Sequence, residues 1–430
     1  MKRVLILSAS LLTLCALIFT ACLKDSCTNE KTFTQWTPIY KTDAELKETP
    51  QYGAARPMKN PGKIYFYGKY ILVNEEKEGI HIIDNGNPSN PQAIGFLKIA
   101  GNVDMAVKNN YLYADNYNDL LTFDISTITA PRLTCRAENI FRNIFQRDPT
   151  RGWLVDYKVE EVTQKIDCND PRYQEDAFWQ GNILFSADTR AGASAIGVKS
   201  GSTASAPAGV GGSMARFTTY QNYFYAIDRW QLHTFNLARL DCPSFSNSTN
   251  VNWNIETVFP YKDKLFIGST TGMFIYDLSN PATPVQLARF EHGRACDPVV
   301  VENDIAYITL RSGTTCNTDL NQMQIVDVSN LRAPRLLNTY SMKNPRGLSV
   351  WDKMVYLCDD GLKIYDATDR DKLPANLKAH IAGFDTFDVI AYEYTGKKYL
   401  MVIGKDGFYQ FDVTDPTKPK EVSKIPVTKS

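Results

Sequence analysis

The residues best able to do chemistry are few and scattered. Four histidines, His81, His233, His292 and His380, lie far apart and show no metal-ligand spacing. His81 and His233 fall inside alternating apolar stretches, where a packed imidazole is expected. His292, in FEHGRACD, sits close to Cys296 and is the one histidine weighed for a ligand pocket. GVKSGSTAS around Lys199 has the composition of a phosphate loop. A P-loop, however, needs Gly directly before its Lys, and Val198 separates Gly197 from Lys199. The serines lack a Gly-x-Ser-x-Gly elbow. Asp359-Asp360-Gly361 and Asp369-Arg370-Asp371 do not space their carboxylates as a calcium loop does, and carboxylates between strands ordinarily make turns. Trp153, Trp179, Trp230, Trp253 and Trp351 are candidate stacking platforms for a glycan, against the commoner use of Trp as core filler. No catalytic residue, cofactor or metal site is expected.

The N-terminus reads as an address. Lys2 and Arg3 precede an apolar run from Val4 to Phe19, broken by Ser8, Ser10 and Thr13, and then Thr20, Ala21 and Cys22. A short basic region, an apolar region and small residues form a secretory signal. Phe19-Thr20-Ala21-Cys22 resembles a bacterial lipobox, with Phe19 where Leu is usual, which implies lipidation of Cys22. Residues 1–21 are then the signal peptide and residues 22–55 a tether and linker. The expected location is the outer membrane of a Gram-negative bacterium, held by acyl chains contributing about 0.8 kcal/mol per buried CH₂. Leu23-Lys24-Asp25-Ser26 partly matches a surface-export signal, so outward and periplasmic display both stay open.

Export permits disulfides. Of nine cysteines, Cys296 and Cys316 bracket a predicted hairpin and are expected to pair. Cys135 and Cys168 flank the start of a long insertion and form a second candidate pair, with Cys242 as the rival partner. Cys358, alternating with core positions in MVYLCDDG, is expected to be a buried thiol. No Cys-x-x-Cys occurs, which disfavours zinc knuckles and thioredoxin-like chemistry.

The chain has 430 residues, with 47 basic and 47 acidic side chains, 43% hydrophobic. That balance disfavours disorder and lacks the positive charge with which proteins grip nucleic acid. What positions the scattered polar residues is a repeat. An alternating apolar segment ends in Asp or Asn, with Pro seven residues on: Asp84, Asp124, Asn236, Asp277, Asp327 and Asp412 share this offset, and Asp366 has its Pro one residue late. Alternation places every second side chain on one face of a strand. The terminal carboxylate can accept from an N–H two residues on and tighten a turn, and Pro then starts a new extended segment.

Gaps between these positions are 40, 112, 41, 50, 39 and 46 residues, and all but the 112 are close to the unit of propeller blades. The fold expected is all-β: a β-propeller of seven four-stranded blades over 56–430, with one blade interrupted by an insertion at 141–215. Thr189 to Met214, rich in Gly, Ala and Ser, has linker chemistry.

MQIVD at Met323–Asp327, GIHIID at Gly79–Asp84 and GMFIYD at Gly272–Asp277 resemble the LVIVD repeat of bacterial cell-surface and secreted proteins. The resemblance implies a propeller displayed outside the cell and brings no catalytic set with it. The function expected is therefore a membrane-anchored, non-enzymatic binding or adhesion module for a protein or glycan partner. The alternatives are a metal-dependent hydrolase or lactonase using the central channel, and a periplasmic assembly scaffold.

Overall fold

Strands whose two faces both meet apolar neighbours read as continuous hydrophobic runs, and such strands fill the middle of each unit here. Ile71, Leu72, Val73, Ile80, Ile82 and Ile83 are all within 1% of full burial. The computed structural model describes residues 28–142, 145–167, 170, 177–180, 183–186, 210–293, 298–312 and 320–428. Cys22, Cys168, Cys296, Cys316 and Lys199 lie outside the described residues. The chain forms two compact units, 1–38 with 157–194, and 39–156 with 195–430.

In the larger unit, seven antiparallel sheets each contain four strands in chain order from inner to outer, and that of blade one gains Val210–Gly211 on its inner edge and Gln51–Gly53 on its outer edge. The innermost strands are Pro61–Tyr67, Met105–Lys108, Phe217–Tyr220, Ile255–Tyr261, Val299–Glu302, Leu348–Trp351 and Thr386–Tyr394. Each packs against the next, and the last packs against the first, so the ring closes at seven blades. This is a seven-bladed β-propeller. Its cores lie between neighbouring blades: Phe217, Phe224 and Tyr113 join blades two and three, while Ile64, Ile71, Met401 and Ile403 join blades one and seven.

The repeat residues do one job in all seven blades. The side chains of Asp84, Asp124, Asn236, Asp277, Asp327, Asp366 and Asp412 each accept from the backbone N–H two residues on, at 2.7–3.2 Å. Blade six has its Pro late because a 3-10 helix, Arg370–Asn376, contains Pro374 before the outermost strand begins at Leu377. Every blade also shifts register between its third and outermost strands, for instance between Ile82 and Ile83 and between Ile325 and Val326. Such a bulge bends the outermost strand and increases its twist, which makes an exposed edge a poor template for pairing.

Residues 28–55 carry regular structure. Thr28–Lys41 is a strand, Asp43–Leu46 is a short helix closed by a Thr42–Glu45 capping box, and Gln51–Gly53 adds an outer strand to blade one. Alternating aromatic and β-branched residues in KTFTQWTPIYK favour that first strand. The insertion also carries strands. Its sheet runs Gln146–Asp148, Gly152–Asp167, Thr28–Lys41, Ile183–Ser186, Ala177–Gln180. Within the smaller unit Trp36 meets Tyr157 edge-on at 6.3 Å. The innermost strand of blade one runs Pro61–Tyr67.

Cys135 is bonded to Cys242, its Cα 5.1 Å away, and not to Cys168. Blade packing decides this. Cys135 lies on the outermost strand of blade two, beside the turn of blade three, and the neighbouring Thr134 hydroxyl donates to the Asp241 carbonyl at 2.7 Å. Cys358 is a buried free thiol.

Candidate functional site

The ring's axis is the usual place to look for a site in this fold, and at one mouth the chain itself occupies it. Residues 210–216, the end of the insertion, run antiparallel to the innermost strand of blade one, with Val210 opposite Phe66 and Gly211 opposite Tyr65. The Gly212 N–H then donates to the Ile64 carbonyl at 3.0 Å. Ser213 donates from both its N–H and its hydroxyl to Asp388 Oδ1, each at 3.0 Å, while its hydroxyl oxygen accepts from Leu348 N–H at 2.8 Å. The Ala215 carbonyl accepts from Val258 N–H at 2.6 Å, and Arg216 N–H donates to Asp104 Oδ2 at 2.6 Å. Seven residues thus join blades one, two, four, six and seven.

Carboxylates do converge here, but the protein's own donors take them. Lys63 and Asp104, both with side chains 3% exposed, form an ion pair at 2.5 Å. Asp115 Oδ1 accepts from Asn102 Nδ2, Val103 N–H and Asp104 N–H at 2.8–2.9 Å. Burial pushes the Asp115 carboxyl up, with Arg216 opposing, and pushes the Lys63 ammonium down, with Asp104 opposing. Cations gather alongside. Burial and then the charge of Arg346 lower Arg311 to about 10, and burial and then Arg216 lower Arg229. A metal cation approaching this mouth meets guanidinium groups as well as carboxylates. Among the described residues, no group of three His, Cys, Asp or Glu side chains is spaced to hold a metal ion.

Two predicted histidines sit in a recurring clamp. Glu75 accepts from Lys59 and Asn60 N–H groups and pairs with His81 at 2.8 Å. Asp359 accepts from Lys343 and Asn344 N–H groups and pairs with Lys363 at 2.6 Å. In blade three, Asp228 holds Trp230 and Gln231 N–H groups and meets His233 at 3.1 Å, whose other ring nitrogen lies 2.7 Å from Ser248 Oγ. That Ser248–His233–Asp228 chain has the residue types of a hydrolytic triad. Its counterparts in blades one and six show the positions to be a turn clamp, filled by whichever donor fits, and His233 and Asp228 are buried. The clamp carboxylate precedes the repeat Asp or Asn by seven to nine residues, a spacing that could have revealed it. His292 is half-buried and His380 exposed, and each bonds to a backbone carbonyl at 2.7 Å.

The tryptophans divide. Trp153 donates to Asp43 at 2.8 Å, and Trp351, with Lys398 over its ring, lines a cavity of about 520 Å³. That cavity lies among the far ends of five innermost strands, with Phe66, the partner of Val210, in its wall. Trp179, on the insertion sheet, is exposed. Trp230 and Trp253 stand together, 42% and 47% exposed, with ring centroids 6.4 Å apart and planes tilted by 43°. They flank a groove of about 810 Å³ with Arg142, Gln231, Asn250 and Asn252. The loops bearing them are stitched by Val251 N–H to the Trp230 carbonyl at 2.9 Å and Ile255 N–H to the Arg229 carbonyl at 3.2 Å. Both loops lie on the face where the innermost strands begin.

A closed ring of seven blades punctuated by Asp or Asn turns of one geometry defines a β-propeller whose axial mouth is occupied by its own chain. Residues 62–97, 100–138 and 292–342 match the LVIVD repeat, and these stretches fall on blades one, two and five. No curated protein matches the chain. Among solved structures it is similar to the periplasmic gluconolactonase of Pseudomonas aeruginosa, at 9% identity and a TM-score of 0.49, covering 93% of this chain and 97% of that one. It is also similar to a functionally unknown protein of Desulfotomaculum acetoxidans, at 10% identity and a TM-score of 0.47, covering 86% and 100%. A third is Saccharomyces cerevisiae Sqt1, at 10% identity and a TM-score of 0.46, covering 83% and 95%. At that distance these likenesses carry no information on ligand or reaction.

Proposed function

We propose that this propeller is an exported, lipid-anchored, non-catalytic binding module that presents one face to a partner outside the cytoplasm. The observation that carries the reading is the Ser213 segment. It consumes Asp388 and Asp104, the carboxylates a channel enzyme would direct at a metal or a substrate. Recognition then falls to loops on the rigid ring, where exposed groups are held in place by the blades beneath. Export is supported by the basic and apolar N-terminus, and the Cys135–Cys242 bond is of the kind that persists in oxidising compartments. Anchoring is supported by the lipobox-like Phe19-Thr20-Ala21-Cys22.

The rival, a metal-dependent lactonase in the channel, makes a different prediction. Purified full-length protein is assayed on gluconolactone with and without added calcium, magnesium or zinc, and its bound metal is quantified. A binding module shows the uncatalysed rate and no stoichiometric metal. Metal-dependent turnover lost in Asp388→Asn would overturn the proposal. Cys22→Ser tests the anchor separately: release from the membrane fraction is expected, and continued pelleting with membranes contradicts it.

A further inference from the structure

We infer that the groove between Trp230 and Trp253 is an oligosaccharide site, an inference that rests on the binding-module reading and specifies its ligand. A sugar ring presents two chemistries at once: a face of C–H bonds and a rim of hydroxyls. The groove matches both. Two exposed indoles 6.4 Å apart, tilted by 43°, form a V whose walls accept pyranose faces by stacking, the use of Trp at surfaces that must be apolar and wet together. Between and beside them stand the carboxamides of Gln231, Asn250 and Asn252, which donate and accept, as hydroxyl recognition requires. A volume of about 810 Å³ lies within the range of small-molecule sites and holds more than one sugar unit.

Among the described residues no carboxylate lines the groove, and Arg142 adds a positive charge at its edge, so sugars carrying an acid group are accommodated and cationic ligands disfavoured. The site is also built. Gln231 Nε2 donates to Asn250 Oδ1 at 2.8 Å, and Asn252 Nδ2 donates to Thr271 Oγ1 at 3.4 Å, so the amides are oriented before a ligand arrives. Asp228, fully buried, holds the Trp230 and Gln231 N–H groups at 2.7 and 2.8 Å. Pre-ordering of this kind reduces what binding must spend on side-chain immobilisation.

The test uses full-length protein on an array of immobilised neutral and uronic-acid-containing oligosaccharides. The strongest hit is then titrated calorimetrically against wild type, Trp230→Ala, Trp253→Ala and Trp351→Ala. Binding that weakens at least tenfold, about 1.4 kcal/mol, in both groove variants but not in Trp351→Ala is the expected result. Because both groove indoles are exposed, unfolding midpoints near wild type are expected, and Trp253→Phe should restore part of the affinity. Absence of binding across the array, or binding indifferent to both tryptophans, overturns the saccharide site and leaves the binding-module reading standing. Binding with cleavage of the titrated oligosaccharide, read by mass spectrometry, confirms the site and sinks the non-catalytic reading instead.

Discussion

Asn85 and Gln410, 325 residues apart in sequence, exchange amide hydrogen bonds in a buried seam between the first blade and the last. Gln410 Nε2 donates to Asn85 Oδ1 at 2.8 Å, and Asn85 Nδ2 donates back to Gln410 Oε1 at 3.0 Å. The same Gln donates to the Pro88 carbonyl, and Tyr394 hydroxyl donates to the Gly86 carbonyl at 2.7 Å. A parallel bridge between Met58 and Val427 completes the join. The four main strands of each blade are contiguous in the chain, so closure depends on these contacts and on the apolar cluster of Ile64, Ile71, Met401 and Ile403 rather than on a blade completed by both ends of the chain.

Removing either amide deprives the other of two of its buried hydrogen bonds. Gln410→Ala and Asn85→Ala should each lower stability by about 1–3 kcal/mol. The double variant should cost less than the sum, since both lose one interaction. Urea unfolding of the four proteins checks this, and strict additivity would argue against the coupling.

Acid should act through the blade turns. Ser126, by its hydroxyl and N–H, and then Arg132 hold Asp124 down to about 2, against an ordinary value of 3.8. Thr368 and then Lys378 hold Asp366 down to about 2. A carboxyl depressed in the folded state contributes stability that is complete above its unfolded pKa and disappears as pH falls through its folded pKa, here between roughly pH 4 and pH 2. Asn236 shows that an amide makes the same turn without titrating. The paired substitution Asp124→Asn with Asp366→Asn should therefore flatten the loss of urea resistance over that interval, and an unchanged acid slope would contradict the assignment.

The architecture was legible in the sequence because a punctuation mark repeated seven times constrains register directly. Asp or Asn followed by Pro specifies a strand end, a turn and an outer-strand start, and each copy says the same thing. The site was not legible, because its parts are single occurrences brought together by closure. Ser213 touches Asp388 and Leu348 only once the ring has formed, and 210–216 reads locally as part of a Gly- and Ser-rich linker. Cys135 illustrates the same limit: its partner Cys242 belongs to the next blade, while Cys168 is nearer in sequence. Trp230 and Trp253 were visible as candidates, but their pairing depends on two loops of one blade folding side by side.

The cross-link between blades two and three encloses 107 residues, including the whole insertion. Replacing Cys135 and Cys242 by Ser should cost about 2–5 kcal/mol by the chain-entropy estimate for a loop of this length. Peptide mapping without reductant should recover the segments around Cys135 and Cys242 as one species. Recovery of Cys135 joined to Cys168 would contradict the structure.

Lys63 is the buried counter-charge of Asp104 at the axial mouth. Lys63→Met keeps its bulk but strands the carboxylate, and should destabilise by about 3–5 kcal/mol. The companion variant with Asp104→Asn also present should recover part of the loss, measured by the same unfolding assay. Equal losses in both would mean that packing rather than charge governs the position.

Whether the mouth is truly closed by residues 210–216 is best settled by hydrogen exchange on the intact protein. The N–H groups of Leu348, Val258 and Arg216 bond directly to, or belong to, that segment. Exchange at these three positions as slow as in the buried second strands is predicted. Exchange as fast as in exposed turns would show an open mouth, and would return the channel to consideration as the working site.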